Sequence, residues 1–225
     1  MQSLPMRRAG RQAQSGFTLV EIAIVLVIIG LLLGGVLKGQ ELIENGRVKN
    51  AANDMNGIVA AYNSYLDRYR KVPGDDGPAA NLTARGTAWT GMAAGNNNGI
   101  LDVNAGQTFT GGGEGATFFR HLRASGFITG NPADAGANAL PVNAWGGRLG
   151  VTNVAVQGRP AARVMVCLGN VPGKAAAALD VQLDDGRPDN GSFRATQGAN
   201  NVVPGGGAAT AYSEDQTYTV CRDIN

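Results

Sequence analysis

The chain has 225 residues, 19 Lys or Arg against 17 Asp or Glu, a formal net charge of +2, and 44% apolar but only 6% aromatic residues. Such a balance speaks against a basic surface for general nucleic-acid binding, and two cysteines are too few for a Cys-only metal site. The length suits one domain plus a long helix.

Residues 1 to 16 are polar and basic, with Arg7, Arg8 and Arg11. From Phe17 to Leu37 the single ionisable side chain is Glu21. About 20 such residues cross a bilayer core of roughly 30 Å, and backbone in hydrocarbon must pair internally, so the segment is expected to be helical. The arginines before it and Lys38 after it hold the N-terminus on the cytoplasmic side by the positive-inside rule. A carboxylate on a lipid-facing helix costs on the order of 3 kcal/mol. Glu21 therefore either has a functional partner or sits at headgroup level, and composition does not choose.

The stretch Gly16-Phe17-Thr18-Leu19-Val20-Glu21, after a basic leader and before an apolar helix, resembles the processing site of type IV prepilins and of type II secretion pseudopilins. The resemblance implies a pilin-like α+β fold: a long N-terminal helical spine packed on an antiparallel β-sheet head with long Gly-rich loops. It implies a leader over 1–16, a helix over 17–71 with its membrane span near 17–37, and a periplasmic or extracellular head over 72–225. It further implies cleavage by prepilin peptidase between Gly16 and Phe17, N-methylation of Phe17, and a role for Glu21 in assembly with the N-terminal amine of a neighbour. The implied partners are that peptidase, identical or related subunits, and an inner-membrane assembly platform. The implied location is the bacterial inner membrane, single-pass with the N-terminus cytoplasmic, then a pilus or periplasmic filament. A type II secretion pseudopilin, or a minor or tip pilin in adhesion or DNA uptake, is the alternative. A secretory signal peptide fits poorly, because the apolar stretch is long and Gly39 to Asn45 lacks a small-residue cleavage pattern. Removal of the leader leaves 209 residues, with 16 basic and 17 acidic side chains.

Beyond the span, Val48, Ala52, Met55, Val59, Tyr62, Leu66 and Tyr69 recur at spacings of four and three, one apolar helical stripe. Val72-Pro73-Gly74 ends the run. Gly30, Gly34, Gly35, Gly39, Gly46 and Gly57 lie in the helix, each costing up to about 1 kcal/mol relative to alanine. Close packing between helices, or a segment that melts on assembly, would account for them.

From Pro73 to about Gly115 the composition predicts loops. Within them Asn96, Asn98 and Asp102 space oxygen donors like the first half of a calcium loop, but the terminal bidentate glutamate is missing and an Asx turn explains the pattern better. Glu114 to Ile128 reads as a short helix on the head, with His121 as a solvated side chain among arginines. Strands are expected over 163–168 and 216–221, a short helix over 172–180, and a flexible loop over 197–210. Asp184, Asp185 and Asp189 form a second acidic turn that either holds a cation or bonds its own backbone. No cofactor is expected, with calcium the one candidate.

Cys167 and Cys221 both fall in the exported part, where an even pair reads as one disulfide and two separately buried thiols are the alternative. Their position also resembles the C-terminal disulfide loop of many type IV pilins. Neither paired carboxylates nor a nucleophile with a base supports an enzyme.

Overall fold

The computed structural model describes residues 16–224, so the leader expected over 1–16 lies, apart from Gly16, outside the described residues. The chain divides into two compact units at Ile43 and Glu44.

In the first unit the described residues beyond Thr18 are helical and belong to α1, Leu19–Tyr69, which continues into the second. Its apolar side chains, from Leu19 through Leu37, are exposed. An 18-residue window of the helix has a mean hydropathy of 2.8 with none of it buried, long and apolar enough to cross a membrane.

The second unit is the head. Here α1 buries Val48, Ala51, Ala52, Met55, Ile58, Ala61, Tyr62 and Tyr65. The stripe read from the sequence is thus part of a wider buried face, with Ala51, Ile58, Ala61 and Tyr65 beside it and Val59, Leu66 and Tyr69 at its margin. The helix ends at Tyr69, because Arg70 takes a left-handed φ of 54°. That is one turn before the Pro73 expected to stop it.

Against this face lies a four-stranded sheet of β1 (Leu149–Asn153), β2 (Val164–Pro172), β3 (Phe193–Gln197) and β4 (Thr217–Asp223). The spatial order is β1-β2-β4-β3 and every neighbouring pair is antiparallel. The two strands legible in the sequence are the central ones. Both edge strands are short, five residues each: β1 is buried almost throughout and carries Gly150, placed where a Cβ would strike the backbone of Thr108, while β3 alternates buried Phe193 and Ala195 with Arg194 and Thr196 over a stretch too brief to stand out. Helices α2 (Ala79–Thr83), α3 (Gly115–Ala124) and α4 (Gly173–Leu183) complete the head. Side chains of α1, α3, α4 and the sheet share one apolar core, which includes Phe118, Leu122, Val166, Leu168, Leu179 and Val220.

Two further elements depart from expectation. The region 73–115 is not bare loop: it holds α2, two 3-10 turns and a set of buried acids. His121 is fully buried rather than solvated. Its ring accepts from the Gly74 N–H at Nδ1 (3.0 Å) and meets the Ala93 carbonyl at Nε2 (2.9 Å).

Candidate functional site

The first site is the start of α1. Thr18 precedes the first helical residue, and its hydroxyl oxygen accepts from the Glu21 N–H at 3.3 Å. The Glu21 carboxylate reaches back, its Oε2 accepting from the Thr18 N–H at 2.7 Å and from the Thr18 hydroxyl at 2.8 Å. The pair satisfies donors that a helix N-terminus leaves without partners, in the reciprocal arrangement of a capping box. A negative charge there also complements the helix dipole. Glu21 thus has a local structural partner in its own chain. The signal for this cap, Thr-x-x-Glu before an apolar run, stands in the sequence beside the anomalous position of the acid. Gly16 and Phe17, the residues flanking the expected cut, are exposed, Phe17 at 84%.

The three calcium candidates do come together. Asn96 Nδ2 and Asn98 Nδ2 both donate to Asp102 Oδ2, at 2.5 and 2.9 Å. Their carbonyl oxygens, however, accept from the Asn98 and Ile100 N–H groups in successive Asx turns. The turn is clamped from outside by Glu114, which accepts from the N–H groups of Asn96 and Asp102, and by Asp75, which accepts from those of Asn98 and Gly99. Burial pushes the Glu114 carboxyl above its ordinary range.

Of the second acidic group, Asp184 and Asp185 meet Asp180 of α4, with one oxygen from each within 4.8 Å. Asp189 instead pairs with Arg187 at 3.3 Å. Each of the three clustered carboxylates already has donors: Tyr212 and Gly186 for Asp180, Ser192 and Phe193 for Asp184, Arg187 and Asn190 for Asp185.

A buried polar knot that the sequence reading missed lies where α1 ends. Asp76 Oδ2 accepts from the Tyr65 hydroxyl and from Arg85 NH1, both at 2.6 Å. The Arg85 guanidinium lies over the rings of Tyr69 and Trp89, 4.3 and 4.9 Å from their centroids. Tyr65 stacks on His121 at 6.1 Å with 6° between the planes. Burial and the neighbouring carboxylate raise the Tyr65 hydroxyl pKa, while burial lowers that of His121 to about 4. These groups hold a loop in place. Nothing in their geometry resembles a nucleophile with its base.

A long apolar N-terminal helix followed by a four-stranded antiparallel sheet defines an α+β protein of pilin-like architecture. Residues 11–37 match the family model of the prokaryotic N-terminal methylation motif. The chain therefore carries the signature of type IV pilins and pseudopilins, which points to a structural subunit rather than an enzyme. A search of curated proteins found no match.

Proposed function

We propose that the protein is a structural subunit of a type IV pilus-like filament, cleaved by prepilin peptidase after Gly16, N-methylated at Phe17 and polymerised through its N-terminal helix. The observation that carries this reading is the methylation motif over residues 11–37, on a helix whose apolar side chains are exposed from Leu19 onward. A surface of that kind is stable only when bilayer or other helices cover it. Arg7, Arg8 and Arg11 before the span, against Lys38 after it, support an inner-membrane precursor with its N-terminus in the cytoplasm. The partners are then the peptidase, an inner-membrane assembly platform, and identical or related subunits. Glu21 serves assembly, and its cap with Thr18 presets the carboxylate at the helix start.

Intact mass and N-terminal sequencing of the membrane-extracted protein test the reading. A chain beginning at methylated Phe17 is expected, and replacing Gly16 with a bulky residue should leave the precursor uncut. A wild-type chain that retains residues 1 to 16 would refute the proposal.

A further inference from the structure

A groove of about 320 Å³ opens on the head between α1, the segment after α3, and β1, lined among others by Asp54, Gly57, Ile58, Arg123, Phe127 and Val142. Three of these residues are unexplained by the fold of a single chain. Gly57 is helical, and a Cβ added to it meets nothing within 4 Å. Here glycine costs the helix up to about 1 kcal/mol relative to alanine and contributes no packing in return. Arg123 is held by the Thr129 carbonyl at 3.3 Å, in a space that exists because residue 130 is glycine with φ 122°. Its NH1 is nonetheless buried without an acceptor among the described residues. Asp54, whose carboxyl is pushed up by partial desolvation, makes none of the ion pairs among the described residues.

The complementary surface is the outer face of α4. Lys174, Ala178, Val181 and Gln182 are exposed there, at helical spacing. Lys174 likewise makes none of those ion pairs. The exposed large apolar side chains of the head, among the described residues, are Ile100, Val142, Val181 and Val203, and the two most exposed are Val181 at 70% and Val142 at 65%. One lies on α4 and the other in the groove. The two surfaces sit toward opposite edges of the sheet: the groove includes Leu149 of edge strand β1, whereas α4 packs on β2, β4 and edge strand β3.

We propose that the groove receives the outer face of α4 from a second copy of the chain, as a head-to-head contact along the filament; this rests on the filament reading above. Val181 fills the apolar floor beside Val142, and Gly57 lets the helix approach closely. Lys174 meets Asp54. Asp185 and the last carbonyls of α4, the negative end of that helix, meet Arg123. Because the two surfaces differ and lie apart, each copy keeps one of each free, and the contact propagates without closing.

Cysteine pairing tests the contact directly. In the full-length protein carrying both Gly57→Cys and Val181→Cys, mild oxidation of sheared filaments should yield a ladder of covalent oligomers that neither single variant gives. Filaments of normal number with no ladder would overturn the contact and leave the filament reading standing. A wild type that makes no filaments, together with an uncrosslinked double variant, would overturn both. Charge exchange adds a readout that misfolding does not mimic: Asp54→Lys and Lys174→Asp should each lower filament yield roughly two- to five-fold, as a rim charge pair does, and their combination should restore it. Lack of restoration would count against the pairing.

Discussion

Tyr65 and Asp76 meet in the interior of the head, the tyrosine hydroxyl donating to Asp76 Oδ2 at 2.6 Å. The same oxygen accepts from Arg85, and the Asp76 side chain is only 1% exposed. One carboxylate thereby ties the last turns of α1 to the segment that leaves it and to Arg85, two residues past the end of α2. Removing it leaves the buried Tyr65 hydroxyl without its acceptor and the part-buried Arg85 guanidinium with only its 3.2 Å contact to the Tyr65 oxygen.

Asp76→Ala should cost about 3 to 5 kcal/mol of head stability, the usual penalty for orphaning one member of a buried pair. Asp76→Asn keeps an acceptor of the same shape and should cost less, about 1 to 3 kcal/mol. Equilibrium unfolding of the detergent-solubilised chain checks the order. Equal losses would mean that packing, not the carboxylate, carries the knot.

His121 makes the head acid-sensitive. Its pKa falls to about 4 in the folded chain, chiefly through burial, against roughly 6.5 when unfolded. Below about pH 6.5 the unfolded chain takes up a proton that the folded one refuses until about pH 4. Stability is therefore fully present above that window and declines on acidification, by up to about 1.4 kcal/mol per pH unit. Asp76 favours the protonated ring, while Arg85 and Arg120 oppose it. Unfolding measured from pH 7 to pH 4 should show a steeper decline for wild type than for His121→Gln. Parallel curves would reject the assignment.

Why His121 escaped the sequence reading is instructive. It stands between Arg120 and Arg123 on a ten-residue helix, and such neighbours ordinarily mark a solvated face. In the head, Arg120 and Arg123, both half-buried, reach the carbonyls of Pro132 and Thr129, and the histidine between them is drawn under Tyr65. Local pattern fails here because the partners, Gly74 and Ala93, lie 47 and 28 residues away. The spine was legible for the opposite reason. Spacings of three and four report a helix face without reference to anything distant. Likewise, β2 and β4 were legible because central strands are rich in β-branched residues, whereas β1 and β3 depend on edge contacts that no single stretch encodes. Glu21 stands out in the sequence as an anomalous acid, and its cap with Thr18, three residues away, is a local pattern of the same kind. The groove at Gly57 is not legible in any single stretch, since its walls come from α1, the turn after α3, and β1.

The Thr18–Glu21 cap separates two roles of one carboxylate. Thr18→Val removes the hydroxyl that accepts from the Glu21 N–H and should weaken the helix start by about 1 kcal/mol, seen as faster amide exchange at residues 18 to 22 in micelles. Glu21→Ala loses the cap as well, and should also abolish most filaments while membrane insertion is unchanged. If Thr18→Val lowers filament number as much as Glu21→Ala does, capping alone explains the glutamate, and the assembly role is refuted.

The disulfide offers the last test. Cys167 of β2 and Cys221 of β4 are bonded, separated by 54 residues in the chain. They also face each other directly in the strand register, buried with Phe109, Val156 and Met165. Hydrogen bonds on either side already fix the two strands, so the covalent link chiefly restricts the unfolded chain. Closing a loop of this length stabilises by about 4 kcal/mol in the chain-entropy account. Replacing both cysteines by serine should therefore lower the unfolding midpoint markedly and steepen its denaturant dependence, since a less restrained unfolded chain exposes more surface. The amide-exchange pattern of β2 and β4 under native conditions should keep its order of protection. A variant whose strand pairing is lost while the slope stays constant would place the effect in the folded sheet instead.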